Sequence, residues 1–287
     1  MRFGFVTCVE LGLACMREIY DVRGKLELVV TLHDDLARSK SGRVYADEFC
    51  SSRGIDLLKI RNVNEPPVIR AITERELDWV FIIGWSQIAR GELLAAPCRG
   101  VLGMHPTLLP EGRGRASIPW AILKGLERTG VTLFQLDTGV DTGAILDQEV
   151  LPLSPAETST TLYARVVEAH CRLLRRAWPG LDSGRVDAKP QDESRATVWP
   201  GRTPEDGRIR EDMTVEEAER LVRASTRPYP GAFFDTGDRR LRVWASALPE
   251  DSGRGTPERI EIPLSDGTLE VVEYDWEPLE SPYPEGR

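Results

Sequence analysis

Short apolar, β-prone runs alternating with helical spacings dominate the first hundred residues, and this alternation limits the possible fold more than any other feature. Phe3–Thr7, Leu26–Leu32, Ile55–Ile60 and Trp79–Ile83 read as strands. Leu11–Tyr20, Arg43–Ser52 and Pro66–Glu76 read as helices, the second with Ser41 as its cap. Strands that alternate with helices bury both faces of their sheet, so the expected class is α/β with a doubly wound, mostly parallel, Rossmann-like sheet. Such a sheet takes its ligand beyond the carboxyl ends of its strands, here the loops after Thr7, Leu32, Ile83 and Met104. No G-x-G-x-x-G fingerprint accompanies them, so a dinucleotide cofactor is not indicated.

Downstream, Val131–Leu136 and Ala144–Leu151 read as two further strands around the turn-rich stretch Asp137–Gly143, and Thr158–Trp178 as a long helix. From Pro179 to Asp206 the chain turns rich in Pro, Gly and charge. We therefore expect a first domain over residues 1–182, a linker over 183–206 and a small α+β module over 207–287. That module reads as a helix at Val215–Ser225 followed by strands at Leu241–Ala245, Arg259–Pro263 and Leu269–Tyr274.

Charge narrows the class of partner. With 37 Lys and Arg against 46 Asp and Glu, the net charge of −9 opposes broad capture of nucleic acid or an anionic membrane. The five cysteines are odd in number and form no C-x-x-C pair, which suggests reduced thiols rather than a disulfide framework, and no metal is expected. The longest strongly apolar run, Trp79–Trp85, is far short of the roughly 18 residues of a membrane helix, and the chain reads as cytoplasmic.

Histidine occurs at three positions only, so each can be weighed singly. His170 sits mid-helix beside an apolar face and reads as structural; His33 lies in a loop at the expected ligand edge. His105 ends a strand and precedes Pro106, which turns the chain away and leaves the imidazole where α/β enzymes keep their chemistry. Asp141, between Gly139 and Gly143, occupies a loop at the same edge, so a His105–Asp141 pair suits proton transfer, with the carboxylate orienting the ring.

The runs Gly103-Met-His-Pro-Thr-Leu-Leu-Pro110, Gly112-Arg-Gly-Arg-Ala-Ser-Ile-Pro-Trp120, Thr129-Gly-Val-Thr132 and Gly139-Val-Asp-Thr-Gly-Ala-Ile145, in this order, resemble the core of the folate-dependent formyltransferases. The resemblance covers roughly residues 1–181 and implies a formyl group carried by N10-formyltetrahydrofolate and delivered to an amine. It makes His105 and Asp141 the catalytic pair. It also implies folate contacts from Trp85, Ser86, Gln87, Arg113, Gly114, Arg115, Leu136, Asp137 and Val140. One position departs from the family: an Asn that polarises the formyl carbonyl is replaced by Gly103. Losing one oxyanion donor costs about 10²–10³ in rate. Three readings stay open: a substitute donor such as Gln87, Ser117 or a backbone N–H; a different one-carbon or acyl donor; or a catalytically weak site.

The tail, from Trp199-Pro-Gly-Arg202 to Arg227-Pro-Tyr-Pro-Gly-Ala-Phe233, is similar to the C-terminal module of the sugar N-formyltransferases. The resemblance implies a small-molecule amine as acceptor, a nucleotide-linked amino sugar, with a homodimer as the working state. Another small amine, or folate binding with altered chemistry, is the alternative. The loop Ser39–Arg43, with Lys40 and Arg43, suits a pyrophosphate. Cys8 and Glu10 in the first loop, Thr107 after the histidine and Arg202 in the tail are the other candidate acceptor contacts.

Overall fold

The computed structural model describes residues 1–37, 42–247 and 260–279. The chain divides into two compact units, one of residues 1–117, 128–152 and 164–199, the other of residues 118–127, 153–163 and 200–287.

The first unit is built on a seven-stranded sheet. In chain order the elements begin with strand β1 (Phe3–Val6), helix α1 (Glu10–Asp21), β2 (Leu28–Leu32), a short α2 (Asp34–Ala37) and α3 (Asp47–Ser51). Next come β3 (Asp56–Ile60), α4 (Pro66–Glu74), β4 (Trp79–Ile82), α5 (Gly91–Ala95) and β5 (Gly100–His105). A two-residue β6 (Arg113–Gly114) and α6 (Ser117–Leu123) lead to the hairpin β7 (Arg128–Gln135) and β8 (Ile145–Pro152). The long α7 (Ser159–Asp182) and a short β9 (Val198–Trp199) follow.

Strand order is β3-β2-β1-β4-β5-β7-β8. The pairs among the first five strands are parallel, while β7 runs antiparallel to β5 and β8 antiparallel to β7. The mostly parallel, doubly wound α/β sheet expected from the alternation is therefore what forms. Both faces are dry. On one, Val68 and Ile72 of α4, a helix begun by Pro66, pack with Val6, Val30, Leu77 and Val80. On the other, Phe3 and Phe81 meet Trp178 of α7, with Phe3 and Trp178 ring centroids 4.5 Å apart.

Two local expectations need correction. The helix over Arg43–Ser52 shrinks to α3, and the cap position is Ala46, which makes no side-chain cap bond. The reason is a competing pairing: Val9 bridges Arg43, and the Val44 N–H donates to the Cys8 carbonyl, holding 43–44 extended. Ser41 itself lies outside the described residues. At the other end α7 does not stop at Trp178 but runs through Pro179 to Asp182.

In the second unit, helix α8 (Val215–Ser225) packs Ala218, Leu221 and Val222 against a four-stranded antiparallel sheet. Its strands are β10 (Ala232–Thr236), β11 (Arg239–Ala247), β12 (Ile260–Leu264) and β13 (Gly267–Pro278), ordered β10-β11-β13-β12. No helix among the described residues is long and apolar enough to cross a membrane.

Candidate active site

Strand β5 ends on His105, and the loop that follows is pinned from the neighbouring hairpin. The Thr132 hydroxyl on β7 donates to the Thr107 carbonyl (2.7 Å) and accepts from the Leu109 N–H (3.1 Å). The Gln148 amide on β8 donates to both the Leu109 carbonyl and the Thr132 hydroxyl (2.8 Å each). The Gly-Val-Thr run at 130–132 thus serves the histidine loop: Thr132 clamps it, and a Cβ on Gly130 would stand 2.4 Å from Leu108.

His105 and Asp141 are brought together. The imidazole Nδ1 lies 3.6 Å from the Asp141 Oδ2, one step longer than a hydrogen bond, with both side chains more than four-fifths buried. The Nε2–H donates to the Gly112 carbonyl at 2.8 Å. A carbonyl can only accept, so that nitrogen carries a proton, and Nδ1 is the position where a proton can be taken up or released beside the carboxylate. Asp141 Oδ2 also accepts from the Gly114 N–H at 2.8 Å.

The stretch 112–115 thus bonds to both His105 and Asp141 through its backbone. It is held by β9: Gly112 N–H donates to the Thr197 hydroxyl, Arg113 N–H to the Thr197 carbonyl and Arg115 N–H to the Trp199 carbonyl. At Gly114, φ is +108° and a Cβ would lie 2.3 Å from the Trp199 carbonyl oxygen, so only glycine lets the two strands approach. The Arg113 guanidinium is buried and donates to the Glu193 carboxylate (2.9 and 2.7 Å) and to the side-chain Oε1 of Gln191 (3.2 and 2.8 Å). Its hydrogen bonds to Glu193 raise its affinity for the proton and lower that of Glu193.

The remaining predicted residues fall in three groups. Around β4 and β7, Gln87 has both ends of its amide engaged, accepting from the Val63 N–H and donating to the Arg61 carbonyl (2.8 Å each). Trp85 Nε1 is buried with no partner among the described residues, Ser86 is exposed, and Val140 is more than half exposed. Asp137 accepts from the Gly139 N–H and the Thr142 hydroxyl, shaping the turn that carries Asp141. Leu136 covers Gly103: a Cβ there would stand 2.6 Å from Leu136 Cδ2 and 3.4 Å from Phe134 Cε1. The space above Gly103, where the resemblance expects an Asn side chain, is filled by an apolar one.

A second group gathers at the edge of β1 and β2. The Glu10 N–H donates to the Gly42 carbonyl, beside the Cys8–Val44 and Val9–Arg43 contacts. The Arg43 guanidinium is buried, donates to the Leu32 carbonyl (2.7 Å), and leaves Nε and Nη1 with no partner among the described residues. Lys40 lies outside the described residues. Thr107 is buried two residues after His105 with its hydroxyl unpartnered among the described residues, and Ser117 is also buried. Arg202 belongs to the second unit, where it lies over the Trp120 ring at 5.3 Å and donates to the Asp206 carbonyl.

Gln191 and Glu193 escape a reading of the sequence, because neutral amides and acids in a Pro- and charge-rich stretch carry no local signal. His170 is the core residue it resembled. Its Nδ1–H donates to the Val166 carbonyl (2.7 Å), and burial pushes the imidazole down to about 4, so the ring is neutral.

Two family models match the chain. Residues 14–178 match the family model described as formyl transferase, and residues 202–276 match formyl transferase, C-terminal domain. Among solved structures, the chain is similar to an N-formyltransferase from Helicobacter canadensis in complex with folinic acid and dTDP-3-aminofucose. The two share 16% identity over 95% of this chain and 99% of that one, with a TM-score of 0.70. WlaRD, a sugar 3N-formyl transferase in the presence of dTDP and 5-N-formyl-THF, shares 16% identity over 98% of each chain (TM-score 0.68). Methionyl-tRNA formyltransferase from Clostridium thermocellum shares 18% over 98% of this chain and 100% of that one (TM-score 0.64).

Proposed function

Because the chain belongs to the formyl transferase family, we propose that it moves the formyl group of N10-formyltetrahydrofolate onto the amine of a nucleotide-linked amino sugar. Folate-dependent formyl transfer goes with the family; the sugar acceptor is the finer reading. The observation that carries it is the His105–Asp141 pair at the carboxyl end of β5. An amine that attacks a formyl carbon must shed a proton, and the Nδ1 edge beside Asp141 is a place to put it.

Trp85, Leu136 and Val140 suit a flat heterocycle by their apolar surfaces and Ser86 by its exposed hydroxyl, and the buried Trp85 N–H has no partner among the described residues. Bound there, the folate supplies the reactive formyl group on N10. The chain's own part is to orient that group toward His105 and exclude water. With Gly103 covered by Leu136 and the Gln87 amide engaged elsewhere, the charge that grows on the formyl oxygen must be met by a backbone N–H or by the free hydroxyl of Thr107.

For the acceptor, a net charge of −9 disfavours a tRNA backbone, whereas Arg43, buried and 3.7 Å from the Asp34 carboxylate with Nε and Nη1 unpartnered among the described residues, suits a pyrophosphate. The dTDP-3-aminofucose named for one similar structure and the dTDP named for another agree with that choice. The test is incubation with 10-formyltetrahydrofolate and a panel of nucleotide-linked amino sugars, free amino sugars, amino acids and methionyl-tRNA, following tetrahydrofolate release and product mass. A formylated sugar nucleotide is expected. Release without any acceptor would indicate a hydrolase, donor binding without release a folate-binding protein, the reading that Gly103 keeps open, and a formylated amino acid would reassign the acceptor.

A further inference from the structure

Chain topology delivers one side chain to the seam between the two halves of the site. The backbones of Ile145 and Lys189 bond to each other in both directions at 2.8 Å, which lays residues 189–191 alongside the end of the Asp141 turn. Gln191 then uses its whole amide. Its Oε1 accepts twice from Arg113, and its Nε2 donates to the Asp141 carbonyl and to the Gly143 carbonyl, both at 2.8 Å. An amide has two donors and two acceptor sites, so none is left over.

What Gln191 joins is specific. Arg113 is the residue between Gly112, whose carbonyl accepts from the His105 ring, and Gly114, whose N–H donates to the Asp141 carboxylate. The residue on the other side of the amide is Asp141 itself, held at φ +55°, where a side chain is rarely at rest. Strained backbone of this kind persists only when its surroundings hold it.

We propose that Gln191 is a positioning residue: by joining Arg113 to the Asp141–Gly143 turn, it sets the separation of the His105 ring and the Asp141 carboxylate. This rests on the reading that the pair handles the proton in formyl transfer.

Gln191→Leu removes all four bonds. Gln191→Glu keeps the acceptor for Arg113 but sets carboxylate oxygens against two carbonyls, so it separates anchoring of Arg113 from anchoring of the turn. Both variants of the full chain are expected to lose about 10- to 100-fold in kcat, as a misplacement near 1 Å does. KM for donor and acceptor should stay within about threefold, and the pH–rate profile of kcat should be displaced. A second readout needs no turnover. With three histidines in the chain, ring ¹⁵N–¹H spectra of the unliganded protein report the His105 Nε2–H, which should broaden or exchange away in both variants.

A Gln191→Leu protein with kcat within about twofold of the parent, or an unchanged His105 ring signal in either variant, overturns the proposal. If Gln191→Leu does not fold, Gln191→Glu decides. If the parent transfers no formyl group to any acceptor, the functional reading fails while the ring signal still decides the role of Gln191.

Discussion

Gly103 shows how one missing side chain is accommodated. The space above it holds Leu136, so Gly103→Asn places its Cβ 2.6 Å from Leu136 Cδ2 and must push that side chain aside. Overpacking of this kind costs about 1–3 kcal/mol, and we expect lower thermal stability with a kcat reduced rather than restored. A tenfold gain in kcat instead would mean that the pocket had merely lost a donor. His105→Ala and Asp141→Ala are each expected to lower kcat by about 10²-fold or more while folate affinity stays within about tenfold, measured by turnover and by equilibrium binding. Both residues were legible from the sequence, because a histidine before Pro106 at a strand end and an aspartate between glycines each announce their place locally. Gln191 was not, since its meaning lies wholly in Arg113 and Asp141, 78 and 50 residues away. The same distance hid where the Arg113 side chain goes: its guanidinium is buried against Glu193 and Gln191.

Elements were legible where local signals agreed. Helix α8 lies where its periodicity put it because Thr214 and Glu217 form a capping box in front of an apolar stripe. Thr214→Ala should therefore cost about 1 kcal/mol in urea unfolding. The strand β10 and the helix α6 were missed because Pro228, Pro230, Gly231 and Pro119 punctuate the sequence beside them, and proline or glycine at an element's edge looks the same as one in a loop. On α7, His170 gives the fold a pH dependence. Its folded-state value of about 4 lies below the ordinary 6.5, so the unfolded chain binds the extra proton first. Stability is complete above pH 6.5 and falls as pH drops toward 4, by about 3 kcal/mol for this group. Urea unfolding across that range should show the slope in the parent protein and a flatter one in His170→Gln.

At the scale of the molecule, neither compact unit is one continuous stretch of chain. The second takes residues 118–127 and 153–163 from within the span of the first, and the first is completed only by residues 164–199. Two truncations should therefore differ. A chain cut after Asp182 lacks Lys189, Gln191, Glu193 and the β9 residues that hold Gly112–Arg115, so binding of the formyl-folate donor, measured by calorimetry, should weaken sharply. A chain cut after Trp199 retains them and should bind the donor far better, while losing use of the acceptor; equal donor binding by both would contradict this division. Composition shifts suggested a linker near Pro179, yet hydrogen bonds and not composition decide where a segment belongs. The late return of β9 onto β6 also sets an order of events during synthesis. Gly114 waits for Trp199, 85 residues downstream, before its strand is paired. The ribosome thus releases the parallel sheet, His105 and Asp141 well before the segment that bonds to both side chains is itself held by its late partner, so a chain that ends in that interval is expected to carry the two side chains without their fixed register.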